Sequence, residues 1–266
     1  MIPTRPLLLA AALAVAAAAA PAHADEGNWP SIRDALFPNR DLKDGLSIVQ
    51  LDAPYRAEDA AVVPITIKAL IPQTPERYIA TVHLIIDQNP APEAAVFHLH
   101  PENGDATLST RVRVNEYTPV HVVAETLDGQ LYVIDRFIKA AGGCSAPALK
   151  DKETAMARLG QMRLKQETPF TPGEPNRLHL LISHPNYSGL QIDQVTRNWI
   201  PSDYVRSVRV TYAGRSVLEI DSDISISEDP SFTFDLVPQE PAELKVVVDD
   251  SSKRHFEKSF EIGAGS

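Results

Sequence analysis

From residue 46 to 138 the apolar positions fall in short runs with a two-residue period. The runs "LSIVQLDAP", "AVVPITIKAL", "YIATVHLIIDQ", "AAVFHLHPE", "ATLSTRVRVNEY", "PVHVVAETLDG" and "LYVIDRFIK" are rich in β-branched residues. Asn-Pro, Asn-Gly and Asp-Gly pairs punctuate them. This texture predicts about seven short strands in an antiparallel sandwich. In Thr110-Arg111-Val112-Arg113-Val114 the alternation is clearest, with valines on one face and arginines on the other. A second region of the same kind begins at Arg177, through "RLHLLISHP", "VRSVRVTYAGRSVLEIDSD", "ISISEDPSFTFDLVP" and "AELKVVVDDSSKRHFEKSFEI". Ala213-Gly214 and Asp249-Asp250-Ser251-Ser252 mark hairpin turns within it.

Two segments carry a helical period. Residues 25–40 predict a short helix that starts near Asn28 or Ser31 and stops at Pro38. Residues 148–166 predict the one long helix, with Met156, Leu159 and Met162 near one face. The stretch "ETPFTPGEPN" (167–176) holds three prolines and a glycine and reads as a linker. The expected fold is therefore all-β: two immunoglobulin-like antiparallel β-sandwich domains joined by a helix and a Pro-rich linker. The expected boundaries are 25–147 for the first domain, 148–176 for helix and linker, and 177–263 for the second domain.

The first 24 residues change the picture of where the chain works. They carry one charge, at Arg5, then an apolar run, and end in Ala22-His23-Ala24. That is the form of a secretory signal peptide, with cleavage expected after Ala24. The run is too short for a comfortable bilayer span, and no cysteine near the cleavage site invites a lipid anchor. The expected location is the periplasm, without a membrane anchor. The formal net charge of −10 argues against nucleic acid as a partner, because nothing offsets phosphate repulsion.

An exported chain usually pairs its cysteines, yet this one has a single cysteine, Cys144. It follows Gly142-Gly143 and precedes Ser145-Ala146-Pro147. Glycines leave the backbone unobstructed. Ser145 as N-cap and Pro147 in a first helical turn would set Cys144 beside a helix N-terminus, which lowers a thiol's pKa. Lys139 would add positive charge if the loop folds back, and Lys150, a turn into the helix, less so. A carrier thiol is the functional reading; a small loop residue is the bland one. Other candidates are weaker. His98 and His100, with His83 or His121, could ligate copper or zinc, but a solvated strand face explains them better. Ser183-His184-Pro185 lacks a nucleophile elbow. Asp221, Asp223, Glu228 and Asp229 lack calcium-loop spacing and read as a solvated turn. Arg111 and Arg113 face either solvent or the cysteine. No metal, cofactor or phosphate loop is expected.

Several stretches together resemble a known family. "LDAPYRAEDAAVVPITI" (51–67), "DQNPAPEAAVFHL" (87–99), "LSTRVRVNEYTPVHVVAETLDGQLY" (108–132) and "IKAAGGCSA" (138–146) resemble SoxY, the sulfur-carrier subunit of periplasmic sulfur oxidation. "ISHPNYSGLQID" (182–193), "WIPSDYVRSVRVTYAGRSVLEIDSDISISEDPSFTFDL" (199–236) and "VVVDDSSKRHFEKSFEI" (246–262) resemble its partner SoxZ. The arrangement is similar to fused SoxYZ-like carriers called quinoprotein dehydrogenase-associated. In SoxY the cysteine sits on a Gly-rich arm at the extreme C-terminus; here it is internal. The resemblance implies a carrier that performs no catalysis itself. It would hold a sulfur-containing or other thiol-linked intermediate on Cys144, as in thiosulfate oxidation. The arm would be Gly142, Gly143, Ser145, Ala146 and Pro147. Implied partners are periplasmic oxidoreductases, either Sox-type enzymes or a PQQ-dependent quinoprotein dehydrogenase system, together with a contact between the SoxY-like and SoxZ-like domains. The rival reading is a non-covalent accessory module for such a dehydrogenase, with the cysteine incidental.

Overall fold

The computed structural model of the protein describes residues 28–148 and 152–263. The expected signal peptide at 1–24 lies outside the described residues, as do 149–151, including Lys150, of the expected long helix. No helix among the described residues is long and apolar enough to cross a membrane. The first half holds α1 (Trp29–Leu36), β1 (Leu42–Asp44), β2 (Val49–Asp52), β3 (Val63–Ala69), β4 (Ile79–Ile86), β5 (Glu93–Leu99), β6 (Thr107–Val112), β7 (Thr118–Thr126) and β8 (Leu131–Ile138). The second half holds α2 (Lys152–Ala157), β9 (Met162–Gln166), β10 (Asn176–Ile182), β11 (Val205–Tyr212), β12 (Arg215–Ser222), β13 (Ser231–Leu236), β14 (Ala242–Asp250) and β15 (His255–Ile262).

The strands form two sheets, as the period-two pattern requires. One has nine strands in the order β1-β8-β7-β4-β5-β12-β11-β14-β15. The other has six, in the order β2-β3-β6-β13-β10-β9. Both sheets run without a break from the first half into the second. In the larger sheet β5 pairs antiparallel with β12, from Leu99 opposite Leu218 to Ala95 opposite Ser222. In the smaller sheet β6 meets β13 where Ser109 lies opposite Thr233. The buried side chains of both halves form one continuous core. Phe97 on β5 and Phe232 on β13 meet edge to face at its centre, with ring centroids 6.3 Å apart.

The alternation expected of half-buried strands is plain on β3 (Val63, Ile65 and Ile67 inward) and β10 (Leu178, Leu180 and Ile182 inward). On β4 and β7 it fails, because residues of both faces are buried. The cause is α1, which packs on the outer face of the larger sheet. Phe37, Ile85, Val123 and Leu131 form a small second core there, against Trp29, Ile32 and Leu36. Trp29 also stacks flat on His121, with centroids 3.8 Å apart.

The chain between the halves departs from expectation. Only Lys152–Ala157 is helical, and Met162–Gln166 is a strand paired with β10. Gly160 breaks the helical run: its φ is +74°, and a Cβ there would lie 2.1 Å from the Phe256 ring. Met162, expected on a helix face, is buried in the sandwich core opposite Ile182. The Pro-rich segment is therefore the loop of the β9–β10 hairpin, not a tether between the halves. The Asn176 side chain holds it by accepting from the Thr171 N–H at 2.8 Å and donating to the Thr171 carbonyl at 2.8 Å.

A shared core and shared sheets predict one cooperative unfolding transition for both halves. Calorimetry or urea titration checks this; two resolved transitions would contradict it. Phe97→Ala is expected to cost about 3–5 kcal/mol and to lower that single transition as a whole.

Candidate functional site

After β8 the chain runs along the edge of the first half. Lys139 donates its N–H to the Tyr55 carbonyl at 2.8 Å, and Ala57 donates to Lys139 at 3.3 Å. Further on, Gly142 donates to Asn115 at 2.8 Å and Gly143 to Val114 at 2.9 Å. The two glycines serve different needs. Gly142 is exposed and has φ +81°, which disfavours a side chain. Gly143 is buried against backbone, and a Cβ there would sit 2.0 Å from the Ala60 carbonyl oxygen. A turn then carries Cys144 inward. Ser145 is exposed and its Oγ donates to the Gly142 carbonyl at 3.3 Å. Ala146 is half-buried and Pro147 exposed.

The second half covers this turn. The Ser188 hydroxyl donates to the Cys144 carbonyl. Gln191 Nε2 donates to the Ala146 carbonyl at 2.8 Å, while its Oε1 accepts from the Ser188 N–H at 3.3 Å. Both side chains are buried. The loop that presents them is anchored from behind. His184 is buried, and its Nδ1 accepts the Asn186 N–H at 3.0 Å. That bond leaves Nδ1 unprotonated, and burial likewise holds the His184 pKa below its usual value. Asp203, Asp250 and His184 approach one another closely enough to suggest a metal site. Arg254, however, donates to both carboxylates. A guanidinium thus stands where a cation would, and the cluster ties both ends of the β10–β11 connection to the β14–β15 hairpin.

The electrostatics of Cys144 differ from expectation. Its side chain is fully buried, at 0% exposure. Burial pushes its pKa up, to about 11, opposed by the positive charge of Arg113. An accessible, acidified thiol was expected, and the structure shows a covered, neutral one. The physical reason is desolvation. The helix that was to lower the pKa begins at Lys152, too far along the chain for Ser145 to cap it. Lys139 lies over the Tyr55 ring, 4.8 Å from its centroid. The cation that acts on the thiol is instead Arg113, which the sequence left undecided between solvent and the arm. Arg113 is buried, and its Nη1 donates to the Ile226 carbonyl at 2.9 Å. The same carbonyl accepts from Asn186 Nδ2 at 3.0 Å. Arg111 turns to the second half too, donating to the Asp229 carbonyl at 2.8 Å.

The remaining candidates do not converge. His83 pairs with Glu93 at 2.8 Å, His121 with Asp87 at 2.9 Å and His98 with Asp221 at 3.3 Å. His100 caps a short turn at Pro101–Asn103. Of the acidic group expected to form a solvated turn, Glu228 is buried, and Asp229 accepts from the His184 N–H at 3.1 Å. Gln191 and Ser188 were not singled out from the sequence. Their only local signal is the "NYSGLQ" loop chemistry, and their target lies over forty residues away.

Two outcomes follow from a covered thiol. Native Cys144 should react with iodoacetamide about a hundredfold more slowly than in unfolded chain at pH 8, given a pKa shift of this size. Because the closed-state pKa is raised, the closed arm is favoured fully below the ordinary thiol value of 9.0 and loses that advantage as pH rises toward about 11. The native rate should therefore climb more steeply than the unfolded one above pH 9. Gly143→Ala should unseat the turn and raise the native rate at pH 8 by about tenfold, the loss of roughly one or two hydrogen bonds, with the fold retained by circular dichroism.

Comparison with known proteins gives two family matches. The model for "Sulfur oxidation protein SoxY" matches residues 33–144, and that for "Sulphur oxidation protein SoxZ" matches residues 163–261. No curated protein matches. Among solved structures, the sulfur carrier protein SoxY from Chlorobium limicola f thiosulfatophilum is 23% identical, over 42% of this chain and 91% of that one, with a TM-score of 0.35. Fibronectin(III)-like modules of Clostridium thermocellum CbhA are 12% identical, over 82% of this chain and 94% of theirs, with a TM-score of 0.24. The two family matches together span most of the polypeptide, so the chain belongs to the SoxY and SoxZ families of sulfur-oxidation proteins and is a fused SoxY/SoxZ-like carrier.

Proposed function

We propose that this protein is a periplasmic carrier that holds a sulfur-containing, thiol-linked intermediate on Cys144 and presents it to partner enzymes, without catalysis of its own. One observation carries this reading. The chain's only cysteine follows Gly-Gly at the last residue of the SoxY-matched region. The periplasmic setting rests on the signal-like pattern of residues 1–24.

The geometry supports a working cycle with two positions of the arm. In the closed position the thiol is neutral and covered, so it is protected from oxidants and stray thiols. In the open position the bonds from Ser188 and Gln191 and those of Gly142 and Gly143 are exchanged for water. The thiol then regains its ordinary acidity, and the thiolate is the reactive form. Loading and unloading belong to the open position. The partners are Sox-type periplasmic oxidoreductases, which engage the arm around the exposed Gly142, Ser145 and Pro147.

The burial of Cys144 favours a second reading. Here the chain is a non-covalent accessory module for a periplasmic quinoprotein dehydrogenase, and Cys144 is a small core residue. The two readings differ in what is found on the thiol. Intact mass of the protein from its native compartment, before and after a thiol reductant, should show a reductant-sensitive adduct on Cys144. Cys144→Ser should keep the fold and lose pathway function. A bare thiol while the pathway runs, together with full function of Cys144→Ser, would establish the accessory reading.

A further inference from the structure

Arg113 is 2% exposed. A guanidinium is costly to bury unless its donors are used. Nη1 is used by the Ile226 carbonyl, but Nε is buried and has no hydrogen-bond partner among the described residues. Its backbone is fixed on both sides. The Arg113 N–H donates to Ser225 at 2.7 Å, and its carbonyl accepts from Asn89 Nδ2 at 2.7 Å. The next residue, Val114, gives the carbonyl that seats Gly143. The rigid cation and the cysteine turn are thus neighbours through a single backbone bond.

Arg113 has carboxylates within its reach, Glu228 and Asp59, and still keeps its Nε open in the unloaded state. Among the groups that act on it, an ionised Cys144 ranks ahead of Glu228 and Asp59. Yet the bare thiol in its closed seat is neutral at physiological pH. The cysteine position beside the cation is therefore uncharged in the bare protein, and the hydrogen bonding of Arg113 is incomplete at Nε. A negative charge delivered on that sulfur would complete it, as a charge-assisted hydrogen bond in a dry setting.

We propose that Arg113 is a binding residue for anionic sulfur groups carried on Cys144, a persulfide or a thiosulfonate, whose terminal charge docks on the guanidinium when the arm closes. The proposal rests on the carrier reading above. It makes the closed seat selective: a load that ends in an anion is held more firmly than a neutral one.

The test loads Cys144 chemically, so it does not depend on the natural cargo. With tetrathionate, the Cys144 thiolate attacks the central S–S bond. A new S–S bond forms to Cys144, the central bond breaks, and thiosulfate leaves with the electron pair. The thiol's proton goes to buffer, and the adduct is anionic. With methyl methanethiosulfonate the same attack leaves a neutral methylthio group and releases methanesulfinate. Both reactions are run at alkaline pH until intact mass shows full conversion. A phosphine reductant then releases each adduct, from folded and from unfolded chain, and the ratio of the two rates measures protection by the closed seat.

In wild type the anionic adduct should be protected about tenfold more than the neutral one, the range of a charged hydrogen bond. Arg113→Gln should erase that difference, and Arg113→Lys should retain part of it. Equal protection of the two adducts in wild type, or a difference that survives Arg113→Gln, overturns the proposal. If Arg113→Gln does not fold, the wild-type comparison and Arg113→Lys decide. The carrier reading fails by a separate result, a bare native thiol with a functional Cys144→Ser, which leaves the adduct comparison untouched.

Discussion

The pairing of β5 with β12 is the contact on which the rest of the molecule depends. A sheet edge leaves a row of unsatisfied N–H and C=O groups. Each half of this chain has such an edge, and each satisfies the other's. The opposed sheet joins less fully, through Ser109 and Thr233, but Phe97 and Phe232 fill the space between the two junctions. Once the seam is set, the loops at 184–191 and 224–229 of the second half have no choice of place. They lie over β6 and the turn that holds Cys144, and Ile226 supplies one carbonyl to both Arg113 and Asn186.

Under the proposed reading, in which Cys144 holds the cargo, the thiol must be both safe and reachable. Burial provides safety by keeping the sulfur protonated. Reach requires the arm to leave, and the structure limits what holds it. Among the described residues, two side chains of the second half and two glycine N–H groups make the bonds. Each is worth about 1 kcal/mol net. A partner that binds the released arm by a few kcal/mol more than the closed one is enough to invert the populations. Fusion of the two halves matters here, since a covalently joined cover returns to its seat at high effective concentration.

Much of the fold was legible because half-buried strands leave a period of two in the sequence. Most strands of both halves were visible that way, while α1, starting near Asn28 or Ser31, was read from helix start and stop signals and the Gly-Gly-Cys segment from its composition. Met162–Gln166 was misjudged although "MRLKQ" also alternates. Met156, Leu159 and Met162 share a helical spacing, and only the free edge of β10 decides between the two patterns. Residues 83–87 and 121–123 carry no clean alternation, since α1 buries their outer face.

By itself the sequence determined the all-β class, the order of the strands along the chain and the place of the single cysteine after Gly-Gly. Those follow from local patterns and from counting. Tertiary structure decided that the halves share two sheets, that the Pro-rich stretch is a hairpin loop, and that Cys144 is covered. It also decided that Arg113, not Lys139 or a helix end, is the charge beside it. The reason is that burial and pKa depend on what lies across the seam, more than one hundred residues away along the chain for Arg113 and Ile226. No local pattern reports which carbonyl a buried guanidinium will meet.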